Sequence, residues 1–129
     1  MHSAISSSIE QLPELVNSDG QLVWMGRFFK KTFLLQADDS AYYVTIYQGR
    51  IEEVALGPAL LRPWCFAISA SARAWRRHWE MYPQPGWHDI FAMTKIGEAR
   101  IEGELQPFLA NLRYIKEILA KPRTLNVEG

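Results

Sequence analysis

Cysteine is nearly missing from this chain. Cys65 is the only one in 129 residues, so no intrachain disulfide can form and a secreted, disulfide-framed fold is excluded. A reducing, cytoplasmic setting is the expectation. Surplus charge of either sign is missing too, because fourteen Lys and Arg balance fourteen Asp and Glu. No net field therefore draws the chain to nucleic acid or to an anionic membrane face. Two local clusters, Arg27 with Lys30 and Lys31, and Arg73 with Arg76 and Arg77, could each touch an acidic head group or phosphate, although a solvated face is the favoured reading of both. No apolar run approaches the roughly 20 residues of a spanning helix. The opening "MHSAISSSIEQL" lacks the basic-then-apolar pattern of a signal peptide, so a soluble protein is expected.

Motifs are scarce as well. His2, His78 and His88 are the only histidines, and no pair has metal-ligand spacing. There is no Gly-x-Ser-x-Gly elbow and no phosphate-cradling glycine loop. No cofactor is expected and no catalytic residue is assigned.

What is present is a globular composition: 48% apolar and 22% charged residues, enough chain to bury roughly two-thirds of the surface its unfolded form exposes. The length fits one domain over residues 1–129. Ile5, Ile9 and Leu12 recur at steps of four and three, predicting an N-terminal helix over 3–16, with Pro13 able to restart a turn. Residues 22–26 carry no assignable pattern. "RFFKKTFLLQ", "AYYVTIYQ" and "RIEEVAL" read as three consecutive antiparallel strands, separated by "ADDS" and Gly49. "GPALLRPW" reads as a loop.

A fourth strand, "WCFAISA", places Trp64, Phe66 and Ile68 on one face. Ser71 can cap the following helix, where Ala72, Trp75 and Trp79 form a stripe. A short helix with Trp87, Ile90, Phe91 and Thr94 at helical spacing precedes a fifth strand, "KIGEARIEG", and Gly103 relieves steric limits where the chain turns. Leu105, Phe108, Leu109, Leu112, Ile115 and Leu119 predict one long final helix with a buried stripe, stopped by Pro122. Residues 122–129 are expected to be irregular. The fold class is α+β, a five-stranded mainly antiparallel sheet with helices packed on one face.

Several residues invite a chemical reading that their setting disfavours. His88 and Asp89 suggest a general base, but neighbours on a helix do not face each other, so capping is favoured. Cys65 lies among apolar neighbours, where thiols are usually inert. Glu98, Arg100, Glu102 and Glu104 share one strand parity, the pattern of a wet face rather than an acid–base pair.

The stretch "IFAMTKIGEARIEGELQPFLANL", residues 90–112, resembles the C-terminal signature of the sterol carrier protein type 2 family. Phe91 and Met93 stand for the family's phenylalanine–methionine pair with Ala92 between them, and Lys95, Ile101, Glu102, Gly103, Glu104 and Leu105 follow its strand and turn. "WCFAISASARAW" resembles the strand-to-helix segment, and the order of elements agrees from about residue 13 to 121. The ending "NVEG" is not a peroxisomal address. The resemblance implies an apolar tunnel between sheet and helices, and binding or transfer of lipid-like molecules without catalysis.

The residues expected to line that tunnel are Phe66, Trp75, Trp87, Phe91, Met93, Ile101, Phe108 and Leu112. The expected partner is a hydrophobic small molecule, fatty acyl, sterol-like or isoprenoid. Two rivals remain. One is a small enzyme on a hydrophobic substrate using His88, Asp89 or Glu98; the other is a homodimer or accessory module using Trp75, Trp79 and Trp87 as a surface.

Overall fold

The computed structural model describes residues 3–58 and 62–126. Helices α1 (Ser3–Glu10), α2 (Leu12–Asn17) and α3 (Gly20–Met25) precede three strands, β1 (Thr32–Ala37), β2 (Ser40–Tyr47) and β3 (Arg50–Leu56). Strand β4 (Phe66–Ala70), helices α4 (Ala72–His78) and α5 (Ile90–Lys95), and strand β5 (Ala99–Gly103) follow. Helices α6 (Leu105–Ala110) and α7 (Leu112–Ala120) and a 3-10 segment, Lys121–Asn126, complete the chain. Part of the expected "GPALLRPW" loop, residues 59–61, and the last part of the expected irregular tail, residues 127–129, lie outside the described residues.

The sheet runs β3-β2-β1-β4-β5. Its only parallel pairing among the described strands joins β1 to β4, with Leu35 opposite Ile68; the other neighbours are antiparallel. A parallel pair needs a long crossover, and here β2, β3 and the following loop supply it. The architecture is α+β, as expected.

One face of the sheet carries Phe33, Leu35, Tyr42, Val44, Phe66 and Ile68 into a single cluster with Ile9, Leu12, Trp75, Ile115 and Ile118 from the helices. Alternation along the strands puts Leu34, Tyr43 and Ala67 on the opposite face in a smaller cluster. Pro58 and Arg62 meet that second face, since Tyr43 donates its hydroxyl to the Pro58 carbonyl and accepts the Arg62 amide. Trp64 belongs to this smaller cluster, on the opposite side from Phe66. The expected shared parity fails because regular strand geometry starts only at Phe66.

Several further boundaries differ from expectation: the helix expected over 3–16 breaks at Gln11, Trp87 precedes α5, the fifth strand starts at Ala99 rather than Lys95, and the tail expected to be irregular from residue 122 is a 3-10 segment as far as Asn126. The unassigned residues 22–26 fall in α3, which Asp19 caps by accepting the Leu22 amide at 3.1 Å. The first strand starts at Thr32 rather than Arg27, leaving Arg27 to Lys31 as a shoulder between α3 and β1. The long final helix is two helices that break at Asn111, whose side chain donates to the Pro107 carbonyl at 3.0 Å. Gly103 does turn the chain as expected, at φ +98°. A β-carbon there would lie 2.7 Å from the Cys65 carbonyl oxygen, so glycine is required for both conformation and space.

Candidate functional site: an apolar cleft beside β5

The last strand, the short helix before it and the helix after it enclose a cleft. Ala99, Arg100 and Ile101 of β5, Phe91 and Thr94 of α5, and Leu105, Phe108 and Leu109 of α6 line a cavity of about 290 Å³. The local sequence explains its shape. Asp89 accepts the Phe91 amide at 3.1 Å and starts α5, aiming Phe91 across to Phe108, whose ring it meets edge-on at 5.8 Å. Gly103 then folds α6 back over the edge strand.

The cleft has a solid floor. Phe33 stacks on Phe66 at 5.2 Å, and Phe66 meets Phe108 at 5.4 Å in an edge contact. This aromatic row closes off the inner side of the cleft. Leu105 is 47% and Leu109 54% exposed, against the expected burial of every leucine in the final stripe. The reason is geometric: these two leucines face the open cleft rather than the packed core. Thr94, which donates its hydroxyl to the Phe91 carbonyl at 2.7 Å, and Arg100 are the polar members of the rim.

Of the eight residues expected to line a tunnel, Phe91, Ile101 and Phe108 line this cleft. Met93 and Phe66 are fully buried, and Phe66 lies behind Phe108 rather than in the lining. Leu112 packs against the main core. Trp75, fully buried, donates its indole N–H to the Gln36 carbonyl at 2.8 Å and stacks on Trp79 at 5.4 Å. Trp87 is half-buried beneath the Arg77 guanidinium, 4.5 Å from its ring. The residues that sequence reasoning missed as cleft lining are Thr94, Ala99, Arg100, Leu105 and Leu109. Leu105 and Leu109, four residues apart and flanking Phe108, were the available signal.

The acid–base candidates sit elsewhere. His88, Asp89, Lys116 and His78 border a separate cavity of about 70 Å³. Asp89 holds Lys116 at 3.1 Å. Burial raises its pKa, but the hydrogen bonds from Lys116 and from the Phe91 amide outweigh that and lower it overall. A carboxylate committed to a cap and an ion pair makes a poor general base. Glu98 is half-buried just before β5, Glu102 is exposed on β5, and Glu104 is exposed at the start of α6. The Cys65 thiol is pushed up by burial and by the nearby Glu104, which disfavours the reactive thiolate. Among the described residues no group of three or more His, Cys, Asp or Glu could hold a metal ion.

The surface expected of Trp75, Trp79 and Trp87 is corrected by their burial: Trp75 and Trp79 are 0% and 4% exposed and cannot form a patch. Helix α4 turns them inward because Ala72, Trp75 and Trp79 share its sheet-facing side. His78 was not expected inside, yet it is 2% exposed. Its Nδ1 lies 2.8 Å from the Trp87 carbonyl oxygen, and a carbonyl only accepts, so Nδ1 carries the proton.

No family model matches the chain, and no curated protein matches it. Solved structures do. A crystal structure of sterol carrier protein 2 superposes with a TM-score of 0.72 at 10% identity, covering 91% of this chain and 94% of the other. A structure named UbiJ-SCP2 ubiquinone synthesis protein gives 0.57 at 12% identity, covering 96% and 97%. The apo form of sterol carrier protein 2 from Yarrowia lipolytica gives 0.54 at 12% identity, covering 92% and 91%. Agreement along nearly the whole of each chain, at identities this low, establishes one thing: the fold is that of sterol carrier protein 2.

Proposed function

We propose that the protein binds or carries a lipid-like small molecule in the cleft beside β5, without catalysis. The observation that carries this reading is the cleft itself, a hydrophobic recess backed by Phe108 and rimmed by Leu105 and Leu109, each about half exposed. Leaving Leu105 and Leu109 in water is unfavourable, and a ligand that shields them recovers about 25 cal/mol per Å² of apolar surface. Several hundred Å² of such surface supplies several kcal/mol with no polar anchor. The ligand class is a fatty acyl, sterol-like or isoprenoid molecule. At about 290 Å³, close to the lower end of ordinary ligand pockets, the recess suits a chain end better than a whole polycycle. Arg100 and Thr94 place their polar groups at the rim, where a head group would emerge.

The structural neighbours are named for sterol carriage and ubiquinone synthesis, and the shared fold supports a carrier over an enzyme. Solvent extraction of the purified protein followed by mass spectrometry, together with displacement of a fluorescent fatty acid, tests the reading. Absence of both a copurifying lipid and fatty-acid binding overturns it.

A further inference from the structure

The shoulder between α3 and β1 is built unlike the rest of the surface. Phe28 is 85% and Trp24 64% exposed, and the Arg27 guanidinium lies between them, 3.5 Å from the Trp24 ring centre and 4.7 Å from that of Phe28. Arg27 also donates to the Trp24 carbonyl at 2.8 Å, which fixes the trio. Two residues on, Lys30 stands 5.5 Å from the ring of Tyr47, itself 46% exposed. Lys31 follows, also exposed.

The platform beneath is rigid. Phe29 points inward, 3% exposed, against Tyr114 at 5.8 Å. Tyr114 in turn donates its hydroxyl to the Gly49 carbonyl at 2.6 Å. The two exposed aromatics are thus held out into solvent by a fixed frame.

Charge singles out the same segment. From Gly20 to Ala37 the chain carries no Asp or Glu while holding Arg27, Lys30 and Lys31, although the whole chain has a net charge of zero. Large rings beside cations, with no carboxylate in the segment, match the interface of an anionic bilayer: rings enter the boundary between head groups and acyl chains, and cations meet the phosphates. The shoulder also sits at the end of the sheet where α6 begins. Lys30 and Lys31 border a groove with Trp64 and Cys65, where Glu52 of β3 is the one carboxylate against two lysines, and the Cys65 carbonyl accepts the amide of Glu104 at 2.9 Å, one residue before Leu105 on the cleft rim.

We propose that the Trp24–Lys31 shoulder docks the protein on an anionic lipid bilayer. The proposal extends the carrier reading without depending on it, because a chain with an unused cleft would still bind vesicles.

Flotation of the full chain with vesicles tests it, using phosphatidylcholine alone and phosphatidylcholine mixed with an equal amount of phosphatidylglycerol. The expected result is co-flotation with the mixed vesicles only, weakening as salt rises. The double variant Trp24→Ser/Phe28→Ser loses about tenfold in partitioning, and Arg27→Ser/Lys30→Ser/Lys31→Ser loses about a hundredfold. Both should keep the circular dichroism and fluorescent fatty-acid binding of the parent, which separates this result from failure of the cleft. If the double variant does not fold, Phe28→Ser alone replaces it. No flotation, equal flotation with both vesicles, or variants that float like the parent overturns the proposal. So does a lipid-free dimer in sedimentation velocity that Trp24→Ser/Phe28→Ser dissolves, since the shoulder would then be a contact between two copies.

Discussion

The indole N–H of Trp79 donates to the carbonyl oxygen of Leu119 at 2.7 Å, tying the end of α4 to the end of α7 across the core. This bond closes the helical layer that presses on the sheet. Replacing Trp79 with Phe preserves an aromatic face against Trp75 but removes the donor inside the protein. A loss of about 1–3 kcal/mol is expected, the range for leaving a buried acceptor without its partner, and thermal melting of Trp79→Phe against the parent checks it.

Acid should destabilise the fold over a window set by His78. Burial, helped by the nearby Arg123 charge and opposed by the Trp87 carbonyl, lowers its pKa from 6.5 to about 4. Between those values the unfolded chain takes up a proton that the folded chain refuses. Stability is therefore intact above pH 6.5 and falls as pH drops towards 4, by up to about 3 kcal/mol. Asp19, lowered chiefly by its hydrogen bond with Lys121, adds a further loss only below its unfolded value of 3.8. Urea midpoints at pH 7.5 and pH 4.5 measure the drop, and His78→Gln should flatten it in this window.

Gly49 and Gly20 make a contrasting pair. Gly49 turns β2 into β3 at φ +85°, and a β-carbon on it would collide with the Val23 carbonyl oxygen. Gly20 has nothing within 4 Å of that position and begins α3. Gly49→Ala should cost upwards of about 2 kcal/mol from backbone strain and the clash together. Gly20→Ala should be neutral or stabilise by up to about 1 kcal/mol. Denaturant midpoints of the two single variants decide.

Cleft residues should separate stability from binding. Phe108 is 1% exposed and belongs to both floor and core, so Phe108→Ala is expected to cost about 3–5 kcal/mol. Leu109, more than half exposed, contributes little packing, and Leu109→Ser should shift stability by less than about 1 kcal/mol while weakening fluorescent fatty-acid binding severalfold. Equal binding by Leu109→Ser and the parent would remove the leucine rim from the site.

Much of this architecture was legible in the residues. Periodicity located the helical N-terminus through Ile5, Ile9 and Leu12, though not its break at Gln11 into α1 and α2, and β-branched and aromatic runs located β1 to β3. Ser71 signalled the start of α4, where its hydroxyl oxygen accepts the Ala74 amide at 3.0 Å. The hidden parts have physical reasons. Helix α3 spans only six residues, "GQLVWM", too few for a period to emerge. His78 escaped notice because its surroundings include the Trp87 carbonyl, across a loop, and Arg123, 45 residues away, which donates to the His78 carbonyl at 2.6 Å; neither contact leaves a periodic signal. The leucine stripe of 105–119 was visible, but a period cannot distinguish a side chain packed in the core from one facing a recess.

The interruption at Asn111 makes the roof of the recess a piece of its own. Helix α6 anchors itself to the interior through Phe108, while Tyr114, Ile115, Ile118 and Leu119 on α7 are all buried. Local opening of a protein draws on its least-packed units. Widening this recess for a bulkier guest therefore requires lifting one two-turn flap and one ring, with α7 left seated.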